Sequence, residues 1–146
     1  MPKATFYTHV AHPAAFACRL AARAVRDGGC VLVWSDNPDT ITRLDRDLWQ
    51  NEPESFIPHE IWQTGSAMPS ETLLLLASGH QLPALPENIT VLNLSPDFWT
   101  AAPVLPDRVL EIVGDGLEDL ADARERFKAY RQSGFAIEHF GMQGKA

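Results

Sequence analysis

Cys30-Val31-Leu32-Val33-Trp34 is the stretch of sequence that decides the fold. It is a continuous apolar run, bounded by Gly29 on one side and by Ser35-Asp36 on the other. An uninterrupted run of this length suits a strand that is buried on both faces, as in a parallel sheet covered by helices. The run therefore predicts an interior strand of an α/β protein.

The segments on either side of this run alternate between strand and helix. A β-branched and aromatic strand is predicted over residues 4–8, and a helix follows from Pro13 to a stop at Asp27-Gly28-Gly29. After the run, Asp36 or Asn37 followed by Pro38 starts a second helix, whose apolar residues recur at three- and four-residue steps. The order β-α-β-α is typical of a sheet with packed crossover helices.

The rest of the chain extends the same pattern. Strands are predicted over 72–76, 89–94 and 108–113, a terminal helix over 117–133, and a short edge segment over 135–140. We expect one domain, residues 1–146, with three layers and a mostly parallel central sheet of about five strands flanked by helices. Residues 50–70 are predicted to form a loop.

Composition excludes several classes of protein. The 146 residues carry a formal net charge of −7, which argues against broad, non-specific nucleic-acid binding. The N-terminus shows no signal peptide pattern, and the longest aliphatic run, 73–77, is too short to span a membrane. We expect a cytoplasmic protein whose two cysteines, Cys18 and Cys30, are reduced and mostly buried.

Motifs for catalysis or cofactor binding are missing from the sequence. No phosphate loop occurs, and Gly114-Asp115-Gly116 is half of a dinucleotide fingerprint with Asp119 where the third glycine belongs. His9 and His12 could pair on a zinc ion, but a third ligand is absent, so solvated or capping histidines are favoured. We expect no catalytic residue, no metal and no cofactor.

The terminal helix contains a basic stretch, whereas the part of the chain before it is acidic. Residues 124–131 hold four basic side chains against one acidic, whereas residues 1–123 hold seven against seventeen. Arg124, Lys128 and Arg131 share one helix face, beside an apolar stripe that includes Phe127 and Tyr130. Two interpretations stay open: a solvated face that complements the helix dipole, or a surface that captures an acidic peptide with an apolar anchor.

A second feature is an unusually apolar segment after the second helix. Trp49 precedes Phe56, Ile57 and Pro58 in a stretch without periodicity. The segment either folds back onto the core or forms an exposed patch that a partner protein covers, with the tryptophan as its anchor.

The sequence resembles the chi subunit of the bacterial DNA polymerase III holoenzyme along most of its length, although residues 60–105 match only in the alternation of strand and connector. The resemblance is carried by the following segments: Ala4-Thr5-Phe6-Tyr7, Arg43-Leu44-Asp45, Leu48-Trp49, Glu54-Ser55-Phe56-Ile57-Pro58-His59, Ala123-Arg124-Glu125-Arg126-Phe127-Lys128-Ala129-Tyr130-Arg131 and Gly134-Phe135.

This resemblance implies a nucleotide-binding-like α/β fold without a phosphate loop, and a non-catalytic role in the clamp-loader assembly. It implies two protein partners, the psi subunit and the acidic, phenylalanine-ended C-terminal tail of single-stranded DNA-binding protein, so that DNA is reached only indirectly. Trp49, Phe56, Ile57 and Pro58 belong, on this basis, to the psi-facing surface.

For the tail, the resemblance implies that Arg124 and Lys128 meet its carboxylates. Phe127, Tyr130 and Val113 are implied as walls of a pocket for its terminal aromatic ring. Where some relatives carry a lysine one turn before Arg124, this chain has Leu120, which makes the electrostatic contact weaker or more dependent on Arg131.

Two other functions compete with this interpretation. One is a small α/β enzyme that binds an anionic metabolite at the basic C-terminal helix, which predicts a deep pocket with a perturbed titratable group at the strand ends. The other is direct binding of single-stranded DNA through arginine and aromatic side chains, which the acidic body disfavours.

Overall fold

A computed structural model describes residues 2–50 and 58–143, and a parallel sheet of seven strands runs through them. In chain order the strands are β1 (Lys3–Val10), β2 (Cys30–Ser35), β3 (His59–Ile61), β4 (Leu74–Ser78), β5 (Ile89–Asn93), β6 (Arg108–Gly114) and β7 (Ala136–Gly141). They are ordered β3-β4-β2-β5-β6-β1-β7, and every neighbouring pair is parallel. The predicted class is confirmed, but the expected number of about five strands is wrong.

Three α-helices cover the two faces of the sheet within the described residues. They are α1 (Pro13–Arg26), α2 (Pro38–Gln50) and α3 (Leu117–Gln132), and a 3₁₀ turn forms at Trp99–Ala101. Side chains of α1 and α2 pack on one face, whereas those of α3 pack on the other together with aromatic residues from the connectors. The helix starts and ends lie close to the positions predicted from proline, glycine and apolar spacing.

Strand β2 occupies the interior position that its sequence predicts. It lies between β4 and β5, and residues 31–35 are buried. Val31 and Val33 point into the layer beneath α1 and α2, while Leu32 and Trp34 point into the layer beneath α3. The run is apolar throughout because successive side chains of a strand alternate between faces, and here both faces are covered.

The two strands beyond the expected five lie at the two edges of the sheet. Strand β3 has three residues and lies in the region predicted as a loop; it forms through main-chain pairing with Leu74–Leu76 of β4 rather than through an apolar pattern of its own. Strand β7 is the short edge segment predicted after the terminal helix. Strand β4 begins two residues later than predicted, since Leu73 is exposed and pairing with β2 starts at Leu74.

The two cysteines lie in the apolar surroundings that the sequence predicts. Both cysteines are free; Cys18 is buried and Cys30 is half-buried. Burial raises the pKa of the Cys18 thiol to about 11, which keeps it protonated and unreactive. No helix in the described part of the chain is long and apolar enough to cross a membrane.

Candidate functional site: a basic groove beside the terminal helix

A groove of about 640 Å³ lies between α3 and the carboxyl-terminal halves of β1 and β7. We call it the basic groove. Its lining residues come from three elements: Leu120, Ala123, Arg124, Phe127, Lys128 and Arg131 of α3, Phe6, Thr8 and His9 of β1, and His139 of β7. The structure therefore brings together Arg124, Phe127, Lys128 and Arg131, four of the six residues predicted for the tail site.

The cationic side of the groove is exposed to solvent. Arg124, Lys128 and Arg131 are all exposed, and Lys128 Nζ lies 3.7 Å from Glu125 Oε1. That pair is exposed on both sides, so it contributes little and competes weakly with a ligand. Among residues 2–50 and 58–143, neither arginine lies within ion-pair distance of a carboxylate. Two guanidinium groups thus remain available for bidentate binding of a carboxylate.

The floor of the groove is apolar and aromatic. Phe127 keeps 38% of its surface exposed, and its ring centroid is 6.1 Å from that of the buried Phe6. Leu120 adds an aliphatic wall near the start of α3. An aromatic ring from a ligand could pack on this surface while a neighbouring carboxylate meets Arg124. Leu120 lies where the resemblance places a lysine in some relatives, and its side chain contributes apolar surface instead of charge.

Arg126, the fourth basic residue of this stretch, has a different task. It points away from the groove, where Nη1 donates to the carbonyl of Asp97 (2.9 Å) and Nη2 to that of Ser95 (3.2 Å). Its guanidinium carbon also lies 5.0 Å from the centre of the Phe98 ring. These contacts fasten α3 to the segment after β5 and fix the rotation of the helix, so that the other three cations face the groove.

A buried polar network lies beneath the helix. Glu111 of β6 accepts hydrogen bonds at Oε2 from Tyr130 Oη (2.6 Å) and Asn93 Nδ2 (2.9 Å), and Oε1 lies 3.6 Å from Arg126 Nη1. Burial raises the pKa of Glu111 to about 7 despite the lowering effect of Arg126. Burial and the nearby carboxylate also raise the pKa of Tyr130, which keeps its hydroxyl protonated as a donor.

Two of the predicted pocket walls, Tyr130 and Val113, lie beneath the surface of the basic groove. Tyr130 is fully buried, with its ring edge-on to Phe6 and Phe135 and its hydroxyl on Glu111, so it supports the floor from below. Val113 is also buried, within the core layer beneath α3. Neither side chain lines the basic groove. Helical spacing placed Tyr130 beside Phe127, but it could not show on which side of the helix the surface ends.

The opposite rim of the groove was not predicted from the sequence. Thr8 Oγ1 and His139 Nε2 share a hydrogen bond of 2.7 Å. His9 has a left-handed backbone (φ 57°) at a break in the β1–β6 register, and its Nδ1 lies 3.4 Å from Asp115 Oδ1. A bulge redirects a strand end and its side chains. The sequence signal was the polar Thr8-His9 pair at the carboxyl end of a predicted strand, the end where α/β proteins place their sites.

The glycine turn before α3 carries its own anion. The carboxylate of Asp119 accepts a hydrogen bond from the Gly116 N–H (3.2 Å), at the helix terminus where a dinucleotide-binding turn would place a phosphate. A second negative group there would be repelled. In the described residues, no three His, Cys, Asp or Glu side chains come together as a metal site, and His12 lies exposed at the start of α1.

The second predicted surface is only partly described. Trp49 is 58% exposed at the end of α2, and its ring lies 5.2 Å from that of His59. His59 Nε2 in turn lies 3.2 Å from Asp45 Oδ1, which ties β3 to α2. Pro58 is exposed, whereas Phe56 and Ile57 lie outside the described residues. The tryptophan thus presents most of its surface to solvent from a supported position.

Comparisons with known proteins show the family of this chain. The family model "DNA polymerase III chi subunit, HolC" matches residues 1–138. The chain is 32% identical over 120 residues to the DNA polymerase III subunit chi of Escherichia coli, covering 82% of this chain and 79% of that protein. It is 29% identical to the subunits of the same name from Haemophilus influenzae and Pseudomonas aeruginosa, with 83% and 84% of this chain and 81% of each relative covered. The chain therefore belongs to the family of DNA polymerase III chi subunits, accessory subunits of DNA replication.

Proposed function

We propose that this protein is a non-catalytic adaptor that holds the acidic C-terminal tail of single-stranded DNA-binding protein in the basic groove. The observation that carries the proposal is the juxtaposition of three exposed cations, Arg124, Lys128 and Arg131, with the exposed ring of Phe127. An acidic peptide that ends in phenylalanine matches this surface in charge, in aromatic contact and in its terminal carboxylate.

The charge distribution supports one docking position. Residues 1–123 carry ten more acidic than basic side chains, so an acidic tail is repelled from most of the body and attracted to α3. The same balance disfavours direct binding of DNA, which the protein reaches through its partner. The proposed role requires no catalytic residue and no cofactor, and it places the protein in the cytoplasm with the replication machinery.

The test is calorimetric titration with a short synthetic peptide rich in Asp and ending in Phe with a free carboxylate. Arg124→Ala should weaken the affinity by at least about tenfold, because a charge-assisted hydrogen bond contributes about 1.5–3 kcal/mol. Arg43→Ala is the matched control, since Arg43 is an exposed arginine on α2, outside the basic groove. Equal affinity of the Arg124 and Arg43 variants would place the tail elsewhere.

The second part of the proposal is that the surface around Trp49 and Pro58, with Phe56 and Ile57, binds the psi subunit and so links the protein to the clamp loader. The exposure of a large aromatic ring, supported by His59, favours a protein contact because buried tryptophan anchors dominate many interfaces. Trp49→Ala should abolish co-purification of a co-expressed psi subunit. Leu117→Ala, at another exposed apolar residue, should leave it unchanged.

A further inference from the structure

Strand β7 leaves one side of its main chain unused. Within the described residues it pairs with β1 alone, so it is an edge of the sheet. The N–H of Ala136 donates to Pro2 and that of Met142 to Thr8. Because successive N–H groups of an extended strand point to opposite sides, the N–H groups of Ile137, His139 and Gly141 point outward, away from β1.

This edge lacks the features that normally prevent pairing. Natural edge strands are kept very short or carry lysine, proline or a bulge. The opposite edge, β3, is three residues long, whereas β7 has six residues in unbroken register with β1. Its single charged residue, Glu138, is held by Lys3 (3.2 Å) and Thr5 (3.2 Å), and the hydrogen bond from Lys3 lowers the pKa of that carboxyl. Its negative charge is therefore balanced by a neighbouring lysine at the surface.

The basic groove opens directly onto this edge. His139 lines the groove and belongs to β7. Arg126 is anchored toward β5, and Arg124 is two residues away, which places it on nearly the opposite side of the helix, toward β7. A peptide that leaves the groove over its β7 wall thus meets outward-facing main-chain groups.

The other face of the sheet beside β7 also carries cations. A cavity of about 450 Å³ there is lined by Arg23 and Arg108 together with Tyr7 and Phe140, whose rings are stacked at 5.6 Å. Asp27 and Glu138 also line it, the latter paired with Lys3. Side chains of an added strand would alternate between this cavity and the basic groove, and both contain arginines.

From these features we infer that the acidic segment upstream of the peptide's terminal phenylalanine adds to β7 as a further strand of the sheet. This inference rests on the proposed function, because it concerns the same peptide. The basic groove takes the terminal carboxylate and ring, while the Ile137, His139 and Gly141 main chain binds the preceding residues. Main-chain pairing gives affinity without demanding a particular sequence, and the flanking arginines select acidic side chains.

The first test removes one outward N–H while the main-chain hydrogen bonds between β7 and β1 are kept; both variants lose the side-chain bond to Thr8, so comparing them isolates the donor. His139→Pro deletes that donor, and His139→Ala loses the same imidazole but keeps the donor. Proline is tolerated at an edge position whose N–H faces solvent. The proline variant should bind the Asp-rich, Phe-ended peptide about 3- to 10-fold more weakly than the alanine variant, which is the value of one hydrogen bond. Equal affinities would overturn the inference.

The second test needs no variant. Amide exchange of the wild-type protein is measured by NMR with and without saturating peptide. Exchange at Ile137, His139 and Gly141 should slow, while Glu138 and Phe140, whose N–H groups already point to β1, should change little. Unchanged exchange at the three outward amides overturns strand addition even if Arg124→Ala abolishes binding, and in that case the groove assignment stands. If Arg124→Ala leaves binding intact, the proposed function fails instead.

Discussion

The pH dependence of stability should reveal the buried carboxyl group of Glu111. Its pKa is raised from 4.5 to about 7 by burial, so between these values the folded protein holds a proton that the unfolded chain releases. The resulting stability is fully present below about pH 4.5 and is lost as the pH rises through 7. A difference of this size corresponds to about 3 kcal/mol, a large share of the total for a domain of this kind.

Glu111→Gln removes this titration while keeping the shape of the side chain. Its amide oxygen can still accept from Tyr130 and Asn93, and Arg126 keeps its bonds to the carbonyls of Ser95 and Asp97. The free energy of unfolding of the wild type, relative to the variant, should therefore fall by about 3 kcal/mol between pH 4.5 and 8.5.

The assay is urea unfolding at a series of pH values, with slopes compared to verify two-state behaviour. Taking the difference between the two proteins isolates the contribution of residue 111, because the rest of the chain is the same in both. Glu87→Gln provides the matched control, since Glu87 is exposed on a connector and its loss should leave the pH profile unchanged. If the free energy of unfolding of the wild type relative to Glu111→Gln rises with pH instead, Arg126 holds the Glu111 carboxylate in its ionised form and the reasoning is refuted.

Two further predictions concern the core. Leu75→Ala, at a fully buried position of β4, should lower the free energy of unfolding by about 2–5 kcal/mol. Leu117→Ala, at an exposed position, should change it by less than about 0.5 kcal/mol. Urea unfolding measures both values, and similar losses in the two variants would contradict the packing described. Cys18 should react with a thiol reagent at about pH 8 only when the protein opens, because burial raises the pKa of its thiol to about 11. Leu75→Ala should therefore accelerate the labelling of Cys18. Equal labelling rates in native and unfolded protein would contradict this prediction.

The parts of the fold that the sequence predicted are those whose residues bury apolar surface in a regular pattern. The run 30–34 is apolar because both faces of β2 are covered. Prolines mark the starts of α1 and α2, and glycines follow the ends of α1 and α3. Strand β3 has no such signal, because its three residues are held by the main chain of β4. A strand that exists through its neighbour's hydrogen bonds leaves no periodicity to detect.

In the candidate site, too, the residues that follow a regular spacing are predictable, whereas those that depend on distant contacts are not. The clustering of Arg124, Lys128 and Arg131 follows from helical spacing, and the structure places all three in one groove. The burial of Tyr130 does not follow from spacing, because it depends on Glu111, a residue of β6 that is nineteen positions away in sequence. Likewise His9 and His139 come from strands at opposite ends of the chain and meet only through the pairing of β1 with β7.

The buried network and the basic groove lie on two sides of α3, and the network determines how the cations of the groove are oriented. Arg126 and Tyr130 bind Glu111 and the segment after β5, which leaves α3 only one rotation about its axis. At that rotation Arg124, Lys128 and Arg131 line the solvent-exposed groove that they share with His139 of the edge strand β7. A change that loosens the Glu111 network should therefore weaken peptide binding without touching a groove residue, through the orientation of the cations rather than their number.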